Sequence, residues 1–362
     1  MSDSADLISF IASMSGEGNL RVEENLGEGF VRLRVSEAER RQAKHDIQHV
    51  EDIVIEMLRN ARDAGADKIY IATLKEEGVR TLLFLDNGCG VPTDMQDRIF
   101  DARVTSKLET MKMDRWGVHG RGMALFSIRQ NTLSAEVVTS GAGLGSVFRV
   151  VVDGSVLNER SDQSSWPQAS KGEDGTFSCT RGPHNIIRTA CEFALEELHG
   201  CDVFLGSPTE IAASLYAHSV RELDASRLLF VDDEAELPVI SRLGYAADAA
   251  DFIRIASSLG IDISERTAHR ILAGTIGPLR SVSARLLRER VDPRDRPHQK
   301  IDLERDRRGL KIAKDDLAEF SRALERDFAA LAERYYINMV GDPKIRVAHD
   351  RITVTFDLGK EE

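Results

Sequence analysis

The segment 49–63 carries apolar residues three and four positions apart, and this spacing predicts an α-helix. A helix is also predicted directly before it, over 36–48, because Ser36 and Glu39 stand at the spacing of a capping box. In a capping box the two side chains satisfy free backbone amides at the helix start. The apolar residues that recur along 49–63 are Val50, Ile53, Val54, Met57, Leu58 and Ala61.

The next apolar segments predict strands. "KIYIATL" (Lys68–Leu74) and "RTLLFLDN" (Arg80–Asn87) are rich in branched and aromatic residues and are separated by a Glu-Glu-Gly turn. A short helix over 92–102 and a helix over 123–131 follow. Two further strands, "SAEVVTS" and "SVFRVVV", flank the turn sequence "GAGLG". Helices and strands are segregated, so the pattern predicts an α+β unit that ends near Asp153.

The pattern changes after this unit. Residues 154–182 are rich in Ser, Gly, Asp and Gln, which predicts a linker or long loop. Helical periodicity then dominates until Lys344–Leu358, which predicts a closing β-hairpin. We therefore expect a domain over 1–153, a linker over 154–182 and a mainly helical module over 183–362. The helices predicted in this module are Asn185–Leu198, Thr209–Glu222, Ala246–Leu259, Glu265–Ala273 and Asp315–Ile337.

The composition fits a soluble globular protein. The chain has 362 residues, of which 42% are hydrophobic and 30% are charged, and this length accommodates two domains. The net charge of −12 argues against a surface that binds nucleic acid all over, although it allows a local basic patch.

The cysteines and the apolar segments predict a cytoplasmic protein. The four cysteines show no C-x-x-C spacing, so a reducing compartment fits better than a disulfide framework or a zinc site. The N-terminal segment "MSDSADLISF" has acidic residues before its short apolar run, unlike a signal peptide. No apolar stretch approaches the roughly 18 residues that a membrane span needs. We expect no membrane association.

Two polar residues share a face of the predicted 49–63 helix. In "EMLRNARDAGA" (Glu56–Ala66), Glu56 and Asn60 stand four residues apart. Glu56 directly follows an apolar run, which favours an inward orientation over the alternative that both side chains are solvated. An inward amide can supply a neutral oxygen to Mg²⁺, and a carboxylate can polarise a water molecule.

An aspartate ends the second predicted strand. In "LDNGCGV" (Leu85–Val91), Asp86 is followed by Gly88 and Gly90. This order predicts a tight turn with one exposed carboxylate, which can accept a hydrogen bond from the exocyclic amine of an adenine. The alternative is an Asn-Gly turn in a hairpin, which is common.

Three glycines precede the predicted helix over 123–131. In "GVHGRGMALFSI" (Gly117–Ile128) they have the spacing G-x-x-G-x-G. Backbone without Cβ atoms can approach a phosphate closely, and amides at a helix N-terminus can donate to it. A plain loop is the alternative for this motif taken alone.

The three motifs in this order resemble the GHKL ATPase superfamily, which includes DNA gyrase B, heat-shock-90 chaperones, histidine kinases and MutL. The resemblance covers about Asp46 to Val152. The chain has no G-x-x-x-x-G-K-[ST] sequence, which disfavours the P-loop class. The resemblance implies a Bergerat-type sandwich that binds ATP and Mg²⁺.

The resemblance also implies a role for each matching residue. Glu56 is the general base for the attacking water, Asn60 holds Mg²⁺, and Asp86 binds adenine N6. The glycines of the second motif shape the pocket, and those of the third wrap the phosphates with donating backbone amides. Ser146 stands where a threonine is common in the family. The residues implied to bind the nucleotide are Asn60, Asp63, Asp86, Gly88, Gly90, Thr105, Ser106, Lys107, Gly117, Val118, His119, Gly120, Arg121, Gly122 and Ser146.

The branch of the superfamily is less clearly indicated. "NARDAGA" and "VTSK" (Val104–Lys107) look like MutL, whereas "GVHGRG" looks like gyrase B. Histidine kinases usually lack a hydrolytic glutamate at the Glu56 position, and no helical hairpin is predicted around His45 or His49. The residues therefore favour ATP hydrolysis over phosphoryl transfer. A histidine or protein kinase and a non-hydrolysing nucleotide-dependent switch are the alternatives.

A lysine from the second half is a further candidate catalytic residue. Gyrase B, MutL and topoisomerase VI B subunits send a lysine from a second domain to the γ-phosphate. Lys300 follows Gln299 in "RPHQKIDLERDRRGLKI" and matches that pattern loosely. Lys311 is a rival, and a solvated charged loop is the alternative.

The segment Phe252–Leu272 is typical of a helix-turn-helix. It contains a helix of small residues, a Leu-Gly pair, and Ser-Glu-Arg-Thr opening a second helix. Residues Ser264–Lys314 carry fourteen Lys and Arg against seven Asp and Glu, a charge pattern that favours nucleic-acid binding. The alternative is helical packing in an ordinary α-helical subdomain. The side chains that could face DNA are those of Arg266, His269 and Arg270.

The residues and the resemblance together predict Mg²⁺-dependent ATP hydrolysis, and the resemblance implies that turnover is slow. The resemblance implies that ATP closes a lid over Arg103–Trp116 and promotes a homodimer. The cycle would be coupled to DNA, through the basic segment Ser264–Lys314, or to an unidentified protein partner.

Overall fold

The computed structural model describes residues 22–106, 112–114, 117–119, 122–172, 176–198, 200–222, 231, 233–287, 314–335, 337–347 and 352–360. The chain divides into two compact units, one within residues 1–288 and the other within residues 289–362. Among the described residues, no helix combines the length and the apolar character needed to cross a membrane.

The first unit contains both strands and helices. Its strands are β1 (Val22–Gly27), β2 (Phe30–Leu33), β3 (Lys68–Glu76), β4 (Val79–Asp86), β5 (Val104–Thr105), β6 (Lys112–Asp114), β7 (Gly117–His119), β8 (Ser134–Gly141), β9 (Gly145–Asp153), β10 (Gln168–Lys171), β11 (Phe177–Arg181) and β12 (Asp202–Gly206). Its helices are α1 (Glu37–Asp46), α2 (Val50–Asp63), α3 (Ala124–Asn131), α4 (Ile186–Glu196), α5 (Pro208–Glu222), α6 (Ala249–Ser258), α7 (Glu265–Leu272) and α8 (Val282–Leu286). Short 3₁₀ turns lie at Thr93–Met95, Arg98–Phe100, Glu234–Glu236 and Arg242–Tyr245.

A five-stranded sheet in the order β12-β3-β4-β9-β8 forms the centre of this unit. Strands β3, β4, β9 and β8 are antiparallel neighbours, whereas β12 runs parallel to β3 at the edge. The register places Asp86, at the end of β4, between Ile69 of β3 and Ser146 of β9. The polar residues predicted for the site therefore meet at one end of the sheet.

Helices cover both faces of the sheet. On one face, Ile71 and Phe84 pack in a core with residues of α2 and α4. On the other face, Tyr70 and Leu83 pack in a core with residues of α5, α6 and α7. Neighbouring strand residues alternate between the two cores because successive side chains of a strand point to opposite faces. Burial on both faces explains why β3 and β4 are almost continuously apolar.

The α+β sandwich is confirmed, but the chain divides at residue 288 rather than after Asp153. The second apolar face of the sheet needs cover, and helices from beyond residue 183 supply it. The same region also contributes β12, which pairs with β3 from Asp202 to Gly206. Residues 154–182, predicted as a linker, contain the antiparallel β10–β11 hairpin. The helix predicted over 92–102 is two 3₁₀ turns whose Met95 and Phe100 are buried.

The predicted start of α1 is confirmed. Ser36 Oγ accepts a hydrogen bond from Glu39 N at 3.3 Å, and Glu39 Oε2 accepts one from Ser36 N at 2.8 Å. This is the reciprocal arrangement of a capping box. The helix after it, α2, begins at Val50 and carries the predicted apolar face.

The second unit combines a long helix with two strand pairs. It contains α9 (Lys314–Tyr335), β13 (Ile337–Met339), β14 (Lys344–Val347), β15 (Ile352–Thr355) and β16 (Leu358–Lys360). Strand β14 pairs with β15 in antiparallel fashion, which confirms the predicted hairpin, and β13 pairs with β16. Phe328 of α9 stacks on Phe356 with ring centroids 4.5 Å apart. The C-terminal part is therefore less purely helical than predicted.

Candidate active site

A cavity of about 490 Å³ opens at the end of the sheet where β4 meets β9. Side chains of α2 and residues at the start of α3 form its other walls. Its apolar surface includes Met57, Ile69, Phe84 and Phe148. The predicted site residues that line it come from all three motifs, from the "VTSK" segment and from β9: Glu56, Asn60, Asp63, Asp86, Gly90, Thr105, Ser106, Gly122 and Ser146.

Helix α2 presents Glu56 and Asn60 to this cavity because its other faces are buried. Ile53, Val54 and Leu58 have no exposed surface, which fixes the rotation of the helix. Glu56 keeps 21% of its side chain exposed. The Nδ2 atom of Asn60 is buried and has no hydrogen-bond partner among the residues that the structure describes. An unpaired buried amide is costly, so a ligand in the cavity would stabilise Asn60.

Glu56 is paired with an arginine that the sequence analysis did not single out. Arg59 Nη1 donates to Glu56 Oε1 at 2.6 Å. The other edge of the same guanidinium donates to Asp114, with Nε 2.9 Å from Oδ2. Burial raises the pKa of Glu56, and Arg59 opposes that increase. The available sequence signal was an arginine three positions after Glu56, which places the two on one helix face.

Asp86 is buried at the end of β4, with 4% of its surface exposed. Its Oδ1 atom accepts a hydrogen bond from Gly88 N at 2.8 Å, which holds the carboxyl group in one orientation. The carboxyl is thus less exposed than the sequence predicted, because β3 and β9 flank it. It still forms part of the cavity wall.

The two glycines after Asp86 allow close packing of backbone. A Cβ atom on Gly88, which is buried, would lie 2.9 Å from Ala64 Cβ at the end of α2. Gly90 has a φ of +73°, and a Cβ there would lie 1.9 Å from the carbonyl oxygen of Gly141. The loop that contains Gly88 and Gly90 is therefore packed between the end of α2 on one side and the β8–β9 turn on the other. The glycines therefore shape the cavity by packing the wall behind it.

Ser140 supports the same wall and was missed in the sequence. Its Oγ atom accepts a hydrogen bond from Val91 N at 2.7 Å and donates to Gly145 O at 2.8 Å. It also lies 3.1 Å from the Oγ of Ser146. The link between Ser140 and Val91 spans 49 residues of sequence, so no local pattern could indicate it.

The third motif contributes one described glycine to the cavity. Gly122 has a φ of +66°, and a Cβ there would lie 2.8 Å from the Val104 carbonyl oxygen. Residues Gly117, Val118 and His119 form β7, which pairs with β6, and are not among the described lining residues. Several predicted site residues lie outside the described part of the chain: Lys107, Gly120, Arg121, Lys300 and its rival Lys311. Parts of the predicted lid, 107–111 and 115–116, also lie outside it.

A second unpredicted arginine, Arg103, lines the cavity beside Gly122. Its backbone N donates to Gly122 O at 2.8 Å, and its φ is +63°, which is uncommon for a residue other than glycine. The side chain is buried and forms an ion pair with Glu39. Its Nε is buried without a partner among the described residues. Arg103 therefore places a guanidinium in the cavity wall, and a positively charged donor group there suits an anion.

The described residues supply too few ligands to hold Mg²⁺ by themselves, so the ion would also need substrate phosphates and water as ligands. Among the described residues, no group of three or more His, Cys, Asp or Glu side chains is placed to hold a metal ion. Protein-bound Mg²⁺ usually takes one or two protein ligands and completes its shell with water and substrate phosphates. Asn60 lines the cavity, and its side-chain oxygen is the kind of neutral ligand that Mg²⁺ takes, whereas its Nδ2 is a donor that suits a phosphate oxygen.

The predicted helix-turn-helix corresponds to α6 and α7. Ser264 caps α7, with its Oγ 3.3 Å from Thr267 N. Ala268 and Ile271 pack into the core on the second face of the sheet, as the packing alternative predicts. The charged residues on the outer side of α7 are exposed: Arg266, His269 and Arg270.

Comparison with known proteins identifies relatives of the segment that forms the cavity. Residues 45–155 match the family of histidine kinase-, DNA gyrase B- and HSP90-like ATPases. A DNA mismatch repair protein MutL from Heliobacterium modesticaldum is 35% identical over 113 residues, which cover 30% of this chain and 16% of that protein. A MutL from Staphylococcus aureus strain Newman is 29% identical over 147 residues, covering 39% of this chain and 20% of that protein. The chain thus spans a fifth or less of these relatives.

One solved structure, full-length ShkA in complex with AMPPNP, is 16% identical and covers 56% of this chain and 38% of that chain. Its TM-score is 0.23. The family match confirms the GHKL resemblance for residues 45–155.

Proposed function

We propose that this GHKL ATPase domain binds ATP with Mg²⁺ and hydrolyses it slowly. The observation that supports the proposal is the convergence of Glu56, Asn60, Asp86 and Gly122 on one cavity. These residues come from three separate motifs, which lie on one helix, at the end of one strand and in the segment before α3. A purely structural role does not require a carboxylate, an unpaired amide and glycine backbone at the same cavity.

The cavity suggests how the nucleotide lies. Asp86, oriented by Gly88 N, accepts a hydrogen bond from the exocyclic amine of adenine. The phosphates lie toward Gly122, where backbone amides before α3 donate to them and Arg103 adds a positively charged donor. Asn60 would hold Mg²⁺, which would supply positive charge against the phosphates when bound.

Glu56 acts as the general base in this proposal. Its carboxylate accepts a proton from a water molecule as the water oxygen bonds to the γ-phosphorus. The bond from that phosphorus to the bridging oxygen breaks, and ADP and phosphate are the products. Because burial raises the pKa of Glu56, the carboxylate is a stronger base than an exposed glutamate. Lys300, or its rival Lys311, is proposed as a ligand of the γ-phosphate.

The proposed cycle includes closure of Arg103–Trp116 over ATP and formation of a homodimer. DNA is proposed as a partner because Arg266, His269 and Arg270 are exposed on the outer side of α7, and a protein partner is the alternative. The relatives in the comparison are DNA mismatch repair proteins by name. A cytoplasmic location is part of the proposal, supported by four cysteines that are all free thiols.

Phosphate release and nucleotide binding in wild type, Glu56→Ala and Asn60→Ala test the proposal. We expect Glu56→Ala to lose about 10²- to 10⁴-fold in hydrolysis rate, the usual contribution of a general base, while ATP still binds. Asn60→Ala should lose the Mg²⁺-dependent part of binding. Glu136→Ala is the control, because this exposed residue of β8 does not belong to the cavity lining.

The same assay separates the alternatives. Stable radioactive labelling of the protein by γ-labelled ATP would indicate a kinase. Tight ATP binding with no phosphate release in wild type would indicate a switch. Equal hydrolysis by wild type and Glu56→Ala would remove Glu56 from the proposed role.

A further inference from the structure

Arg59 connects the proposed base to a second carboxylate. Its guanidinium donates to Glu56 Oε1 through Nη1 at 2.6 Å and to Asp114 Oδ2 through Nε at 2.9 Å. The side chains of Arg59 and Asp114 are only 4% and 7% exposed. The planar fork of an arginine holds two acceptors in fixed directions, so Glu56 is held on one side by Asp114 acting through Arg59.

Burial and charge act on Glu56 in opposite directions. Desolvation is the largest influence and raises its pKa, while the adjacent Arg59 lowers it. The other charged groups that act on Glu56 are Asp114 on β6 and Asp46 at the end of α1, and both favour the protonated form. Arg59 is therefore the group that keeps the carboxylate ionised in a site that otherwise disfavours the charge.

The position of Asp114 ties this pair to the glycine motif. Asp114 pairs with Gly117, the first glycine of the motif, across the β6–β7 ladder. Asp114 and Arg59 are 55 residues apart in sequence. The ion pairs thus connect α2, which carries Glu56, with the strand pair that leads into the glycine motif.

We propose that Arg59 is a positioning residue that orients Glu56 and holds it as a carboxylate, and that Asp114 anchors Arg59 in this pose. The proposal rests on the proposed function, in which Glu56 is the general base. Arg59 itself does not need to contact the nucleotide. Its effect is on the fraction of Glu56 that is ionised and on the direction in which that carboxylate faces.

The pH dependence of phosphate release at saturating ATP tests this role in Arg59→Met, Arg59→Lys and Asp114→Asn. In Arg59→Met we expect a kcat loss of about tenfold or more near neutral pH, since a hydrogen bond to a charged group is lost. The acid limb of its profile should move to higher pH, because nothing then opposes the effect of burial on Glu56. Arg59→Lys keeps the positive charge but not the planar guanidinium group. The acid limb of its pH profile should therefore lie closer to that of wild type than the limb of Arg59→Met does, while kcat stays reduced. Asp114→Asn removes a charge that favours protonated Glu56, so its acid limb should not move to higher pH, while kcat should fall because Arg59 loses its anchor.

Binding and folding controls keep the outcome decisive. ATP affinity should change little in all three variants, and circular dichroism with thermal melting establishes that each is folded. If Arg59→Met does not fold, kcat in Arg59→Lys and Asp114→Asn decides, because both variants should lose rate while their ATP affinity is unchanged. Arg80→Lys is a matched control, because Arg80 is also buried and paired with a glutamate, at 2.9 Å from Glu159, but lies near the opposite end of β4.

Two results would overturn the proposal. An acid limb at the wild-type position in folded Arg59→Met, or wild-type kcat in folded Arg59→Lys and Asp114→Asn, would leave Arg59 with a structural role only. Faster hydrolysis in Arg59→Met would mean that the ion pair restrains Glu56 rather than positions it. Failure of the underlying function is distinguishable, because Glu56→Gln would then hydrolyse ATP at the wild-type rate.

Discussion

Replacing Asp86 by asparagine tests the adenine assignment with almost no change in shape. Asp86 is buried and its Oδ1 accepts from Gly88 N at 2.8 Å. The asparagine oxygen can keep this hydrogen bond. The second position of the side chain then becomes an NH₂ group, which is a donor facing the donor amine of adenine. The variant therefore replaces the proposed hydrogen bond between the carboxylate and the adenine amine by two donors that face each other without an acceptor.

The size of the effect follows from the cost of a buried unpaired donor, which is about 1–3 kcal/mol. A difference of this size corresponds to about 5- to 150-fold in affinity. Guanine presents an acceptor oxygen where adenine presents its amine, so the new NH₂ group can donate to guanine. We therefore expect Asp86→Asn to weaken ATP binding roughly tenfold or more and to reduce the preference for ATP over GTP.

Isothermal titration calorimetry with non-hydrolysable analogues of ATP and GTP, in the presence of Mg²⁺, measures both effects. Asp153→Asn is the control, because it makes the same chemical change at the other end of the sheet, where Asp153 pairs with Val79. Thermal melting of both variants verifies the fold. Unchanged ATP affinity in a folded Asp86→Asn variant would refute the assignment of Asp86 to adenine.

Two further predictions concern stability and partner binding. Since burial raises the pKa of Glu56, its contribution to stability is present below the ordinary pKa of a glutamate and is lost as pH rises through the raised pKa. Glu56→Gln does not titrate and escapes this loss, so its melting temperature relative to wild type should increase as pH rises from acid to neutral. A difference in melting temperature that does not change with pH would contradict the reasoning. For DNA, fluorescence titrations at two salt concentrations should show a log–log slope of about −0.9 per phosphate contact. Charge reversal at Arg266 and Arg270 should weaken this binding and leave ATP affinity intact, whereas no binding at low salt, with or without nucleotide, would reject the DNA proposal.

The parts of the site that the sequence predicted are those that depend on short-range spacing. Glu56 and Asn60 are four residues apart, so helical geometry alone brings them to one face. Asp86 ends an apolar strand and is followed by glycines whose substitution would produce backbone clashes. Local pattern and local geometry agree at both places, and the structure puts all three residues at the same cavity.

The parts that the sequence did not predict depend on contacts between distant segments. The pairing of Arg59 with Asp114 spans 55 residues, and no local sequence pattern around either residue predicts the other as its ion-pair partner. Arg103 faces the cavity from a backbone with positive φ, a conformation that its residue type does not suggest. The strand β12 has only five residues, and its place beside β3 is determined by the open edge of the sheet rather than by its own pattern.

The position of β12 and of α5 to α7 changes how coupling to a partner can be understood. If the helical layer were a separate domain, a signal from the nucleotide would have to cross a linker. Instead, Leu144 in the β8–β9 turn accepts a hydrogen bond through its carbonyl oxygen from Val239 N, in the segment between α5 and α6, at 2.8 Å. The same turn packs against Gly90, where a Cβ would lie 1.9 Å from Gly141 O. The loop that contains Gly90, at the end of the cavity proposed to hold adenine, and the layer that carries α7 therefore share one short turn as a common support. A change in the Gly90 loop on nucleotide binding would act directly on the layer whose outer side bears Arg266 and Arg270.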